Sequence, residues 1–418
     1  MNLRTLLTIT ALSATIAGAA LLSGCNSSSA TAASAPTTTA TLSDYFKSTD
    51  WVALHASDAN LVIVDTRTAA SYNAGHIPGA INIPRNKFYF PRKVIDTTTG
   101  THKISATQLP VWDPATNAQK VVNGVAQWQT DALTGDAQKY VQISYDIPTP
   151  AEFIDILTSN GITPDTTVVA YDNDTSSYGG RLPWVLKVYG HTKAYVIDGG
   201  IDKWKDADNR TLSTSAVTPT PSAKPYKIAS YQNYRATKSD ITAIIDSANG
   251  NATKAGYVIS DVRTPGEYTG FATTVTSGTA SAGVWSVSTT PQVSSSNQGA
   301  RPGHIPYAKF SDFATAAFTD YLDPTTGRPV ASTLQTNHNV QVLKSESDLR
   351  AHFTSIGITP DKVVYNHCEG GFRSGVYTLI LLGLGYPSVY NYDGSWNEWA
   401  IQGAAYPVVT GDARISGP

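Results

Sequence analysis

Cysteine is almost missing from this 418-residue chain, which has two, Cys25 and Cys368, beside a single methionine. So few thiols exclude a fold stapled by several disulfides. Charge is also sparse: 15% of residues carry one, the formal net charge is −2, and no run of a single sign interrupts the sequence. That leaves no basic surface of the kind nucleic acid requires. Beyond the N-terminus no apolar run reaches the roughly 18–20 residues of a membrane-spanning helix. What remains is ordinary globular material, 41% apolar, long enough for two or three domains at about 100–200 residues each.

The N-terminus differs in composition. Arg4 precedes a small-residue apolar stretch that runs to Leu22, so residues 1–25 read as an export signal and not as part of the fold. The end of this segment, Leu22-Ser23-Gly24-Cys25, resembles a bacterial lipobox. That resemblance implies that Cys25 becomes the lipidated first residue of an exported protein. The membrane is then a partner through the anchor alone. Asn26 in place of Asp favours the outer membrane of a diderm cell, with the protein facing the periplasm. Residues 26–41 are Ser/Thr/Ala-rich and read as a flexible tether with too little apolar surface to fold. If Cys25 is acylated, Cys368 has no intramolecular disulfide partner. A lone thiol in an oxidising compartment needs a reason, either inert burial or chemistry.

The chain repeats itself. "LVIVDTRTAASYNAGHIPGAINIP" (61–84) matches "YVISDVRTPGEY…GHIPYAKF" (257–310), and "GITPDTTVVAYDN" (161–173) matches "GITPDKVVYNHC" (357–368). Asp65 pairs with Asp261 and Gly161 with Gly357, both 196 positions on, and Trp204 pairs with Trp399 at 195. Two copies of one domain follow, at 42–210 and 230–412, joined by a Thr/Ser/Pro-rich linker at 211–229. Each copy carries an insertion of weak periodicity, at 84–146 and 269–302, expected as loops or surface excursions.

Within each copy, apolar runs of strand length alternate with segments of helical length: "LVIVD", "TVVAY" and "AYVID", then "YVISDV", "KVVYN" and "SVYNY". Such alternation predicts an α/β fold, a mainly parallel central sheet flanked by helices in each domain. Ligands of such sheets sit beyond the carboxyl ends of the strands. "KVVYNHC" places Cys368 at such an end, and a helix is expected about six residues later. Between them, Gly370 and Gly371 can take positive φ, so that backbone N–H groups turn inward as an anion-binding nest. A helix N-terminus beside that nest adds to it and favours the thiolate. The loop Glu369, Gly370, Gly371, Phe372, Arg373 and Ser374 is the candidate binding loop, with Cys368 as nucleophile and Arg373 closing the cup or tying down its exterior.

Other polar residues read as support. His367 neighbours Cys368, but alternation along a strand points adjacent side chains to opposite faces, which argues for packing. His76 and His304 recur in "GHIP", in the copy without a thiol as well as the copy with one, so they read as turn-stabilising. Asp65/Arg67 and Asp261/Arg263 read as ion-pair anchors near the loops. The pattern calls for no metal or cofactor.

The quoted pieces, with "GGRLPWVLKVYGHTKAYVIDGGIDKW" and "VVYNHCEGGFRSGVYTLILLGLGYPSVYNYDGSWNEW", resemble the rhodanese (sulfurtransferase) family over nearly all of 42–405. The resemblance implies a silent first copy and an active second one. The position matching Cys368 is Asp172 or Asn173, neither a thiol. It implies that Cys368 takes a sulfane sulfur from a small sulfur-containing anion (thiosulfate, mercaptopyruvate or polysulfide type) and passes it to cyanide or a thiol. Asp261, Arg263 and His304 are then supporting residues. Two departures bear on the donor: Glu369 and Glu267 stand where thiosulfate-using relatives typically carry Arg. The spacing Cys-x4-Arg is shorter than the Cys-x5-Arg of rhodanese-fold phosphatases and arsenate reductases, which disfavours that reading. The remaining alternative is a non-catalytic, lipid-anchored sulfur carrier or binding module.

Overall fold

The computed structural model describes residues 40–88, 147–174, 177–246, 252–274, 302–400 and 406–411, with short strand segments between 90 and 126, at 145–146 and at 286–291. The export signal, Cys25 and the tether up to residue 39 lie outside the described residues. In the first copy β1 (Phe46–Lys47), β2 (Leu61–Asp65), β3 (Ile81–Asn82), β4 (Thr167–Tyr171) and β5 (Ala194–Ile197) form an all-parallel sheet in the order β1-β5-β4-β2-β3. The second copy repeats it with β6 (Arg235–Ala236), β7 (Tyr257–Asp261), β8 (Lys309–Phe310), β9 (Val363–His367) and β10 (Val389–Tyr392), ordered β6-β10-β9-β7-β8.

The central strands are near-continuous apolar runs because helices cover both faces of a parallel sheet. Alternation along β4 shows it: Val168 packs into one buried cluster and its neighbour Val169 into another on the opposite face. The outer face of each sheet has its own core, Ile63, Tyr72 and Trp204 in the first copy and Ile259, Tyr268 and Trp399 in the second. The inner faces share one core through two helices, α1 (Ser177–Val188) and α3 (Phe372–Gly383), which contribute Trp184, Val188, Val376 and Ile380. These helices approach closely at glycines. A Cβ on Gly180 would stand 2.2 Å from a Val376 methyl, and one on Gly375 would stand 3.7 Å from Trp184.

The segment joining the copies lies docked on the first copy. Ser213 exchanges backbone hydrogen bonds with His76, Ser222 N donates to Thr158 O at 2.8 Å, and Tyr226 and Ile228 are buried in the shared core. The copies also reach across to each other in matched fashion. Ile147 N donates to Asp393 Oδ2 at 3.1 Å, and Leu343 N, 196 positions later, donates to Asp198 Oδ1 at 2.9 Å.

The described parts of both insertions contain antiparallel strand pairs apart from the main sheets, such as 271–274 with 286–291, and so are more regular than the loops expected. A further excursion was not marked in the sequence. Phe318–Asp320 pairs with Gln341–Leu343, and the segment between them lies on the first copy. There Gln335 Nε2 donates to Asp202 Oδ2 at 2.6 Å and His338 Nε2 stands 3.0 Å from Asp174 Oδ2.

Candidate active site

Strand β9 ends at His367, so Cys368 emerges at the carboxyl edge of the second sheet, and the chain turns at once into α3. The turn is made by Gly371, whose φ of 81° is a left-handed conformation that glycine adopts without penalty. Helix α3 begins at Phe372, two residues earlier than the sequence suggested. The loop proper is therefore Cys368 to Gly371, and Phe372, Arg373 and Ser374 belong to the helix's first turn. The early start has a local cause: Asn391 Nδ2 donates to Gly371 O at 2.9 Å and Ser374 Oγ donates to Asn391 Oδ1 at 2.6 Å, holding the helix entry from strand β10.

The sulfur lies inside this turn. Cys368 is 1% exposed, and Gly371 N donates to its Sγ at 3.1 Å. A backbone donor and a helix N-terminus aimed at one sulfur stabilise negative charge there. The loop's outer backbone is tied to helix α4 (Ser395–Trp399): Trp396 N donates to Cys368 O at 3.0 Å, and Asn397 N to Glu369 O at 2.9 Å. Ser395, at a φ of 51°, accepts from Cys368 N at 3.3 Å and donates to Tyr392 O at 2.7 Å. The first copy settles its own register by the same bonds. Ile201 N donates to Asp172 O at 3.1 Å and Asp202 N to Asn173 O at 2.7 Å. Asp172, not Asn173, therefore occupies the place of Cys368.

The expected supporting residues lie beneath the loop and do not point into it. Arg263 grips Asp261 with Nε–Oδ1 at 2.9 Å and Nη2–Oδ2 at 2.6 Å, and Nη2 also donates to Gly303 O at 2.7 Å. Arg67 repeats this on Asp65 and Gly75 O. Burial pushes the Asp261 carboxyl up, and the adjoining Arg263 outweighs it, so the group is held below its ordinary range. His304 stacks on Tyr268 with ring centres 3.7 Å apart and Nδ1 2.8 Å from Tyr268 O, and His76 does the same on Tyr72. His367 is fully buried under the loop. Nδ1 is 3.1 Å from Cys368 O and Nε2 is 3.5 Å from Asp261 Oδ2, while burial lowers its proton affinity and favours the neutral ring.

Arg373 does not face the cup as an open cation. Its Nη1 and Nη2 donate to Glu267 Oε2 and Oε1, both at 2.8 Å, and Nη2 stands 4.0 Å from Glu369 Oε2. Glu267 also closes the capping box of α2 (Pro265–Thr269), accepting from Thr264 N at 2.8 Å and Thr264 Oγ1 at 2.7 Å. Burial raises the Glu267 carboxyl, but the two bonds from Arg373 more than offset this and hold it well below the usual carboxylate range. Four residues near the loop escaped the sequence reading: Asn391, Asp393, Ser395 and Arg181. Only Asp393 carried a signal, as the Asp-Gly pair that recurs at Asp198. Among the described residues no group of three His, Cys, Asp or Glu could hold a metal, and no helix is long and apolar enough to cross a membrane.

Comparison with known proteins follows the same outline. A family model described as a rhodanese-like domain matches residues 48–123, 136–207 and 245–402, covering both copies. A thiosulfate sulfurtransferase of Azotobacter vinelandii is 26% identical over 343 residues, 82% of this chain and 89% of the relative. A sulfur carrier protein, TtuD, of Thermus thermophilus is 28% identical over 357 residues, 84% and 92% of the two chains. Among solved structures, the anaerobic ergothioneine biosynthesis enzyme of Chlorobium limicola, in complex with trimethyl histidine, shares the fold. Its TM-score is 0.57 at 19% identity, over 88% of this chain and 70% of that one. With the domain model on both halves and sulfurtransferases among its relatives, the chain belongs to the rhodanese family as a tandem-domain sulfurtransferase.

Proposed function

We propose that Cys368 is the nucleophile of a two-step sulfane-sulfur transfer. The observation that carries this reading is the 3.1 Å hydrogen bond from Gly371 N to the Cys368 sulfur, at the start of α3. The thiolate attacks the outer sulfur of a donor, the donor's S–S bond breaks, and its electron pair leaves with the remainder. A Cys368 persulfide is left. A thiol or cyanide then attacks the outer sulfur and restores the thiolate, so no external oxidant is needed. This is covalent catalysis in which the loop's backbone N–H groups and the helix N-terminus hold the charge. At 1% exposure the sulfur suits a donor that presents a terminal sulfur atom end-on.

The surrounding charge favours a donor with little of its own. Every guanidinium described close to the loop faces a carboxylate: Arg373 meets Glu267, Arg263 meets Asp261, and Arg181 and Arg235 share Asp393. Glu369 adds a carboxylate beside Arg373. An organic persulfide, whose reacting end carries at most one charge, therefore fits better than a thiosulfate dianion. We further propose that the protein is exported and held to a bacterial membrane through Cys25, a reading supported by the Leu22–Cys25 stretch. The test of the central proposal is sulfur transfer to cyanide by the full chain. Polysulfide should support turnover that falls by about three orders of magnitude or more in Cys368→Ala. Undiminished turnover in that variant would remove Cys368 from the reaction.

A further inference from the structure

Arg181 is wholly buried in α1 of the copy that lacks the thiol, yet it touches the loop of the copy that has it. Its Nη1 lies 2.5 Å from Asp393 Oδ1 and 3.3 Å from Gly371 O, and its guanidinium lies 5.2 Å from the centre of the Phe372 ring. The packing around Gly371 is equally close. A Cβ at this position would stand 2.7 Å from Asp393 O, 2.8 Å from Asp393 Oδ1 and 3.1 Å from Arg181 Nη1. The ion pair is thus a wall against which only a glycine fits, in the conformation that starts α3.

We infer that Arg181 is a positioning residue for Cys368, supplied across the domain boundary by the silent copy. Gly371 is the residue whose N–H meets the sulfur, and its direction is not set by the helix, which begins only at Phe372. It is set by the left-handed φ of Gly371, and that residue is anchored in turn through its carbonyl, in the next peptide unit, by two donors, Arg181 from the first copy and Asn391 from the second. Asn391 is the nearer donor at 2.9 Å, and Arg181 adds a charged one at 3.3 Å. Without Arg181, Gly371 loses its charged donor and one side of its packing wall, and Asn391 holds the carbonyl alone. The N–H is then free to turn off the sulfur, and the thiolate loses its one backbone donor described here. The first copy therefore contributes a group to the chemistry of the second as well as buried surface, and cutting the domains apart would remove it.

This inference rests on Cys368 being the nucleophile, and its test separates the two. Removing Arg181 alone would leave Asp393 Oδ1 without its cation, with Arg235 Nε at 3.2 Å and Ile147 N at 3.1 Å held on Oδ2 alone, and a broken buried pair is costly enough to threaten folding. Two variants of the full chain avoid this: Arg181→Lys, which keeps the charge on a shorter side chain that cannot bring its nitrogen to the place of Nη1, and Arg181→Met with Asp393→Asn, which removes both charges of the pair and keeps an acceptor for Arg235. The readouts are the pH profile of Cys368 alkylation by iodoacetamide, kcat and KM for sulfur transfer, and the thermal midpoint. In each variant that retains a cooperative melt, alkylation should begin at higher pH than in wild type. It should be slower at neutral pH by roughly 5- to 10-fold, the worth of one hydrogen bond, with the loss in kcat and not in KM. An unchanged alkylation profile would overturn the inference, even with reduced turnover, because Arg181 would then act through domain packing alone. Wild-type protein that forms no persulfide from any donor would instead sink the nucleophile proposal itself.

Discussion

At the scale of single residues, charge pairing decides what the loop can hold. Glu267 uses one carboxylate for two tasks, capping α2 through Thr264 and taking both arms of the Arg373 fork. An anionic donor would have to compete with that internal anion. Glu267→Gln keeps an acceptor for the capping box and removes the charge. Sulfur transfer from thiosulfate should then rise relative to transfer from an organic persulfide, by roughly 5- to 10-fold, the effect of one uncompensated charge at a partly screened site. A steady-state comparison of the two donors checks it, and an unchanged ratio would show that the pair does not set donor preference. Much of this site was legible in the sequence, because Cys368, its glycines and Arg373 are contiguous. The partners of Arg373 and Gly371 were not, since Glu267 and Arg181 lie 106 and 190 positions away. No local pattern records such a pairing. Ser395 was hidden for a different reason: its counterpart in the first copy is Gly200, so the repeat marked a turn but not a hydroxyl.

At the scale of elements, the strands were the easiest to read. The runs "LVIVD" and "TVVAY" are β2 and β4 as quoted, because a strand buried on both faces must be apolar throughout. Helix starts were harder. The residues that begin α3 are fixed by Asn391 and Arg181, which a propensity argument for residues 372–374 cannot see. The contact between α1 and α3 was also invisible, although its cause is a pair of glycines. Gly180→Ala should destabilise the protein by about 1–3 kcal/mol through overpacking against Val376, whose branched side chain has little room to turn. Adding Val376→Ala should recover much of the loss. Chemical denaturation of the single and double variants measures it, and additive losses would mean that the two positions do not meet.

At the scale of the whole molecule, the repeat predicts more than duplication. Each copy sends a segment across to the matching Asp-Gly turn of the other, Ile147 to Asp393 and Leu343 to Asp198. The crossing segment of the second copy also buries Asp202, whose Oδ1 has no hydrogen-bond partner. Burial raises that carboxyl to about 6, against a partial opposing pull from its bonds to Gln335 and Ser332. A raised carboxyl binds its proton more tightly in the folded state, so its contribution is favourable below the ordinary Asp value and is lost as pH rises through about 6. Asp202→Asn should therefore be more stable than wild type above about pH 7, by roughly 1–3 kcal/mol, with the gap closing in acid. Thermal melts across pH check this, and a gap that does not vary with pH would refute it.

All three scales converge on the sulfur of Cys368, and its mass reports on it most directly. The full chain should be incubated with polysulfide, freed of donor and weighed intact, then mapped by peptide. The account predicts a gain of one sulfur atom on the peptide that carries Cys368, discharged by cyanide and absent from Cys368→Ala. A protein whose mass never changes with any sulfane donor, or one that gains sulfur equally in the alanine variant, would contradict it.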